Sequence, residues 1–366
     1  MMRHLGPDSS DTAGAGAFAA QVVTGDATAV ADAPVAAASR TARKDVHFPA
    51  LDGWRGLSIL AVLAAHLLPL GPSWLKLNYA AGVFGMALFF ILSGFLITHF
   101  LLERPGLGDF LIRRSFRIVP LAWLCMAVAF AMEPASFDVV LSHFLFYANL
   151  PPQTLTPITG HLWSLCVEMQ FYIGVAALVA LFDRRGLMLL PALCLAHTGW
   201  RVMDGVYASS ITYYRVDEIF AGCTLALALH GELGDRLKRV LGWFNPALLL
   251  VLLVIACMQQ TGPLNYLRPY LAALLVGATI VRPQGVLNDL LRHRWLVYLA
   301  SVSYALYVIH PLLEHTWLGS GDVYEKYMKR PLLFLVLFGL AHLSTFHFER
   351  PCTSLGKRIV RRLSGA

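Results

Sequence analysis

Charge is scarce in this 366-residue chain: Asp, Glu, Lys and Arg make up only 14% of it, where a soluble domain carries about 25%. So few charged groups cannot clothe a soluble surface. A hydrophobic content of 57% and a mean hydropathy of +0.61 belong to a protein whose solvent is largely lipid. The sequence also has no P-loop, no G-x-G-x-x-G and no H-E-x-x-H, which removes the usual phosphate-cradle, dinucleotide and zinc-hydrolase readings. None of the six cysteines forms a C-x-x-C pair, and five lie in apolar runs. They read as small buried hydrophobes, not as a disulfide framework or a zinc site. The histidine pairs His310/His315 and His342/His347 are five apart, about 140° round a helix, and do not converge on a metal. No metal is expected. Residues 1–45 lack any aromatic except Phe18 and have neither the basic start nor the apolar core of a signal peptide. Their Ala, Gly, Ser, Thr and Asp content predicts a disordered cytoplasmic tail.

What is present is a succession of apolar runs. About 20 apolar residues cross the hydrocarbon core as a helix, and spans are expected near 51–70, 79–102, 116–132, 162–182, 187–203, 213–230, 243–258, 266–281, 295–314 and 331–348. The fold class is therefore all-α, a polytopic integral membrane protein of about ten helices. The segment 138–150 is too short to cross and reads as re-entrant or interfacial. Basic residues test the arrangement, because cytoplasmic loops are enriched in Lys and Arg. With ten spans and both termini in the cytoplasm, 22 of the 29 Lys and Arg fall on the inner side. The net charge of +7 is thus read against the bilayer, and no nucleic-acid partner is expected. The organisation is a tail over 1–45, a transmembrane domain over 46–350 and a basic cytoplasmic C-terminal tail over 351–366, placed in the cytoplasmic (inner) membrane.

Ionisable groups inside a bilayer are costly and are functional candidates. His66 lies within the first span, and Arg55 opens that span 11 residues earlier. Eleven residues make three turns plus roughly 20°, so the two share a face about 16 Å apart. A core histidine bonded to a neighbouring helix is the competing reading of His66. Arg114 and Arg117, three apart at the entry to the third span, point the same way and, at a helix start, would suit an anionic phosphate; Arg113 reads as a topology signal. On the fourth span, His161, Ser164, Glu168 and Tyr172 follow at i, i+3, i+7 and i+11 and form one polar stripe. Glu168 is expected at a depth similar to His66, lining the same cavity. Arg215 and Asp217 open the sixth span, either to meet a ligand or to pair with each other.

These motifs together resemble the membrane-bound acyltransferase-3 family over residues 50–350. LDGWRG at 51–56 with His66 is similar to its arginine-x10-histidine pattern, FFILSGFLI at 89–97 to its second-span signature, and Arg114-Ser-Phe-Arg117 to its R-x-x-R motif. WSLCVEMQFY at 163–172 resembles its WSLxVExQFY stretch, with Met169 where Glu is usual; Arg215-Val-Asp217 and Phe348-Glu-Arg-Pro351 complete the set.

The resemblance implies an O-acyltransferase that moves an acyl group, acetyl first, from acetyl-CoA or another acyl-CoA to a hydroxyl of a glycan or lipid-linked sugar. It makes His66 the catalytic base, Arg55 its partner along the groove and Glu168 a supporting group. Arg114 and Arg117 become ligands of the donor phosphates. Beside these, Trp163, Ser164, Arg215 and Asp217 are expected to bind the acceptor substrate. Ser93 and Ser164 are candidate acyl carriers, although close helix packing explains both equally well. The rival reading is a polytopic transporter, against which stands the lack of an internal repeat.

Overall fold

The computed structural model describes residues 48–103 and 106–363, and within them every regular element is helical. The expected N-terminal tail lies outside the described residues. In chain order the α-helices are α1 (Pro49–Leu67), α2 (Leu77–Glu103), α3 (Leu107–Met132), α4 (Phe137–Phe144), α5 (Trp163–Phe182), α6 (Leu190–Met203), α7 (Asp217–Leu229), α8 (Asp235–Leu241), α9 (Pro246–Cys257), α10 (Arg268–Val281), α11 (Val286–Leu291), α12 (Arg294–Glu314), α13 (Val323–Leu343) and α14 (Arg350–Leu363).

Six helical stretches are long and apolar enough to cross a bilayer, and a seventh follows if α8 and α9, bent by 85°, count as one pass. The chain is a multi-pass membrane protein. Each of the ten expected spans finds a helix, but several are short. The 44-residue stretch Gly160–Met203 exceeds twice the length of one crossing and is broken at Asp183, whose φ of 52° no regular helix accommodates. The 19-residue α1 carries Asp52, Arg55 and His66 among its apolar residues.

One boundary needs correcting. The third span was expected to begin at 116, whereas α3 starts at Leu107, after Gly106 and with Asp109 in its first turn. Its first turns are too polar to belong to an apolar run, so hydropathy placed the start late. Arg114 and Arg117 therefore stand inside a helix, and its N-terminal amides are not theirs to offer an anion. The basic segment after the last span is also helical, since α13 runs through a π-helical turn at Ser344–Glu349 directly into α14. The short segment 138–150 holds only α4 before the chain turns irregular.

Small residues set the helix spacing. Lipid offers no hydrophobic gain for helix association, so close van der Waals packing must supply it. At the α2–α7 crossing, a Cβ on Gly94 would lie 2.0 Å from the Ile219 carbonyl oxygen, and one on Gly222 would lie 2.1 Å from that of Ile91. The two glycines let each backbone sit on the other. Polar bonds add to this: Trp54 Nε1 donates to Thr279 Oγ1 at 2.9 Å and Ser58 Oγ to the Gly85 carbonyl at 2.7 Å. The result is a rigid frame in which α1 packs between α2 and α12.

Candidate active site

The first helix acts as a rail. Its Arg55 lines two small cavities of about 20 and 40 Å³, and its His66 lines a large one of about 610 Å³. The three form a file. The large and first small cavities share Val62, Met86 and Tyr307; the two small ones share Arg55, Phe89, Ser303 and Tyr304. Helices α1, α2 and α12 supply the walls of all three.

At the arginine end, Arg114 and Arg117 line the same cavity as Arg55 and Glu168. The three-residue spacing on α3 does aim both arginines one way, and the Arg114 guanidinium lies 5.8 Å from the centre of the Tyr172 ring. Glu168 is buried and its Oε1 accepts two short bonds, from Ser93 Oγ and Tyr172 Oη, each 2.5 Å. The arrangement presents three guanidiniums to a small space whose single carboxylate is already engaged by hydroxyls. Arginine forks of this kind match phosphate oxygens bidentately.

At the other end, the His66 ring opens into the large cavity beside His310, with ring centres 5.1 Å apart at 66°. The fully buried His310 stands in turn 5.4 Å from His161. His310 Nδ1 faces the Leu306 carbonyl at 3.2 Å, which must accept, so in the neutral ring Nε2 carries the lone pair. Neither that atom nor either ring nitrogen of His161 has a hydrogen-bond partner. Three imidazoles thus stand edge to face beside the cavity. No group of three His, Cys, Asp or Glu among the described residues is arranged to hold a metal.

The stripe that starts at His161, just before α5, and continues along that helix joins the two ends, though not as expected. His161 borders the large cavity, and Ser164 Oγ shares a 2.5 Å bond with Tyr307 Oη, which also donates to the His161 carbonyl. Glu168 and Tyr172 lie at the arginine end. The expectation that Glu168 and His66 line one cavity is therefore corrected. The reason is helical rise: Glu168 is seven residues beyond His161, about 10 Å, far enough to leave the cavity that His66 lines and to reach the one that Arg55 lines. Ser93 and Ser164, the candidate carriers, are both held in these bonds.

The expected acceptor contacts divide. Trp163 and Arg215 line the large cavity, with the guanidinium 5.5 Å from the Trp163 ring centre. Ser164 sits one layer behind it. Asp217 is fully buried, pairs with Arg201 and accepts from Thr198 Oγ1 at 3.2 Å. Arg215 and Asp217 do not pair with each other: Arg215 Nε instead faces Glu218 Oε2 at 3.3 Å. Sequence reasoning missed Phe89, Tyr304, Tyr307 and His310. A signal existed, because Ser303, Tyr307 and His310 fall at i, i+4 and i+7 on α12.

Several known proteins are similar to this chain. The chain is 27% identical over 365 residues to the peptidoglycan O-acetyltransferase OatA of Listeria monocytogenes, covering 87% of this chain and 57% of that protein. It is 28% identical over 380 residues to the putative peptidoglycan O-acetyltransferase YrhL of Bacillus subtilis, with 86% and 56% covered. It is 25% identical over 314 residues to the O-acetyltransferase OatA of Staphylococcus aureus, with 72% and 50% covered. The chain spans about half the length of the curated relatives it matches. No solved structure matches it. The acyltransferase-3 model, described as an acyltransferase domain, matches residues 48–348, which takes in all three cavities, and the chain belongs to that family.

Proposed function

We propose that the protein is an O-acyltransferase of the cytoplasmic membrane, ten helices with both termini in the cytoplasm, that moves an acetyl or other acyl group from acyl-CoA to a hydroxyl of a glycan or lipid-linked sugar. The observation that carries this reading is the file of cavities joining the Arg114–Arg117 pair to His66. The basic residues around Arg55, Arg114 and Arg117 support a cytoplasmic position for that end, where acyl-CoA is found, and with it a place for His66 toward the opposite face. The relatives are named for acetyl transfer, two of them to peptidoglycan, which favours acetyl as the group and a glycan as the acceptor.

In this scheme Arg114 and Arg117 hold the donor's phosphates, and the slim pantetheine arm runs along α1 past Arg55. Binding energy far from the reacting carbon then fixes its position. The middle of the file has room for about one water, so Met86, Phe89, Tyr304 and Tyr307 must shift rotamers to admit the arm. Neutral His66 takes the proton of the acceptor hydroxyl as its oxygen attacks the thioester carbonyl. A C–O bond forms, the C–S bond breaks, and the thiolate leaves with the proton that His66 returns. His310, bonded through Nδ1 to backbone, braces the His66 ring.

Release of CoA thiol by the purified protein in nanodiscs, with acetyl-CoA and a panel of glycans, tests the proposal. Acceptor-dependent release that falls about 10²–10⁴-fold in His66→Ala, the range for a lost general base, supports it. Absence of acetyl-CoA binding, or solute flux without acyl-CoA, replaces it with the transporter reading.

A further inference from the structure

Beneath the large cavity, five charged side chains are buried with almost no contact with solvent: Arg201, Arg215 and Arg268 against Asp217 and Glu218. Asp217 is taken by Arg201, and Glu218 Oε1 accepts from Arg268 Nε at 2.6 Å. Arg201 and Arg268 also donate to the carbonyls of Val206 and Tyr207. Arg215 differs. It is 2% exposed, its Nε and the nearby Glu218 Oε2 lack a hydrogen-bond geometry, and its guanidinium hydrogen-bonds to no described residue. It alone of the three arginines lines the cavity, its guanidinium set against the rings of Trp163 and Phe90 at 5.5 and 5.9 Å.

Three guanidiniums face two carboxylates, so one positive charge stays uncompensated in a region of low dielectric. A buried charge without its counter-ion is among the costliest arrangements in a protein. A ligand that brings an anion to the cavity removes that cost. The volume of about 610 Å³ lies within the range of small-ligand sites, and Asn78, Tyr79, Ser209 and Ser210 add hydroxyl and amide groups to its wall.

From this we infer that the acceptor is an anionic sugar, whose carboxylate or phosphate oxygens dock on the planar fork of Arg215 while a nearby hydroxyl reaches His66. This rests on the acyltransferase reading and narrows its substrate class. Arg215 then selects the acceptor, and Trp163 holds the fork in register by stacking against it. The two sources of such oxygens are an acidic glycan and a lipid-linked sugar phosphate.

The experiment uses the full chain in nanodiscs with acetyl-CoA and two matched acceptor pairs: a neutral oligosaccharide against its uronate counterpart, and a free sugar against its 1-phosphate. Thiol release and equilibrium binding are both read. The anionic member of one pair is expected to exceed its neutral partner by about tenfold or more in kcat/KM or in affinity, as a charge-assisted contact allows. The winning pair identifies the source. The preference should shrink in Arg215→Lys and vanish in Arg215→Gln, with acetyl-CoA affinity unchanged in both as the sign that the frame is intact. If Arg215→Gln does not fold, the wild-type preference decides alone. Neutral and anionic members bound or acylated equally in both pairs overturn the inference, whereas loss of acetyl-CoA binding by the wild type overturns the acyltransferase reading beneath it.

Discussion

Under the proposed function, removing either arginine of the α3 pair isolates donor binding from chemistry. Arg114 and Arg117 line one small cavity with Arg55, and the carboxylate there, Glu168, already accepts from Ser93 and Tyr172. Each guanidinium is therefore available to a phosphate. A hydrogen bond to a charged group contributes about 1.5–3 kcal/mol, and at about 1.4 kcal/mol per decade this makes Arg114→Ala or Arg117→Ala weaken CoA by about 10–150-fold. Both side chains would grip one ligand, so the double variant should fall short of the product of the two. Isothermal titration of nanodisc-embedded protein with CoA measures this without any acceptor. Pantetheine, which has the arm but not the nucleotide phosphates, should bind both variants as it binds the wild type. Added salt should weaken CoA and spare pantetheine. CoA affinity within twofold of wild type in both variants, or an equal loss for pantetheine, refutes the assignment of these arginines to phosphate.

Three further outcomes follow from the packing. Asp217→Asn leaves Arg201 buried without its carboxylate and should cost about 3–5 kcal/mol, seen as a lowered melting temperature; a stable variant with a raised acceptor KM would return Asp217 to the acceptor contacts. Gly94→Ala drives a methyl into the Ile219 carbonyl and should cost about 1–3 kcal/mol, while Gly174→Ala, with open space around it, leaves the melting temperature unchanged. In the connection between α3 and α5, burial holds the His143 imidazole below its ordinary pKa of 6.5, and the neutral ring donates to the Val139 carbonyl at 2.7 Å and accepts from Thr159 Oγ1 at 2.8 Å. Because the folded value lies below the unfolded one, this stabilisation is present above pH 6.5 and is lost as pH falls through the folded value. Melting temperatures should drop between pH 7 and pH 5 by more in the wild type than in His143→Gln.

Much of this was legible in the sequence, and the failures are instructive. Helices α2, α5 and α12 begin and end within about two residues of the expected spans, because a long apolar run permits one periodic reading. The start of α3 was misjudged because hydropathy reports lipid contact, whereas a helix continues into water. The Arg55–His66 rail needed only helical periodicity. The five-residue spacing of His310 and His315 suits no metal, and the spacing that matters runs back from His310 to Tyr307 and Ser303. The pairing of Arg201 and Arg268 with acids on α7 joins residues 16 and 50 positions apart. No local pattern announces it, since only the crossing of α6, α7 and α10 brings them together.

The narrowness of the middle cavities has a consequence for the cell. A catalyst that reaches from one face of an energised membrane to the other risks becoming a leak, and a leak of protons or ions would discharge the gradient that powers the cell. Here Phe89, Tyr304 and Tyr307 leave room for about one water between the arginine end and the histidine end. In this conformation the space there is too small for a continuous water column, so proton hopping has no wire to follow. Under the proposed function, the arm of a donor would fill the space that it opens. The substrate itself would then be the plug, and the proposed turnover would leave the membrane insulating.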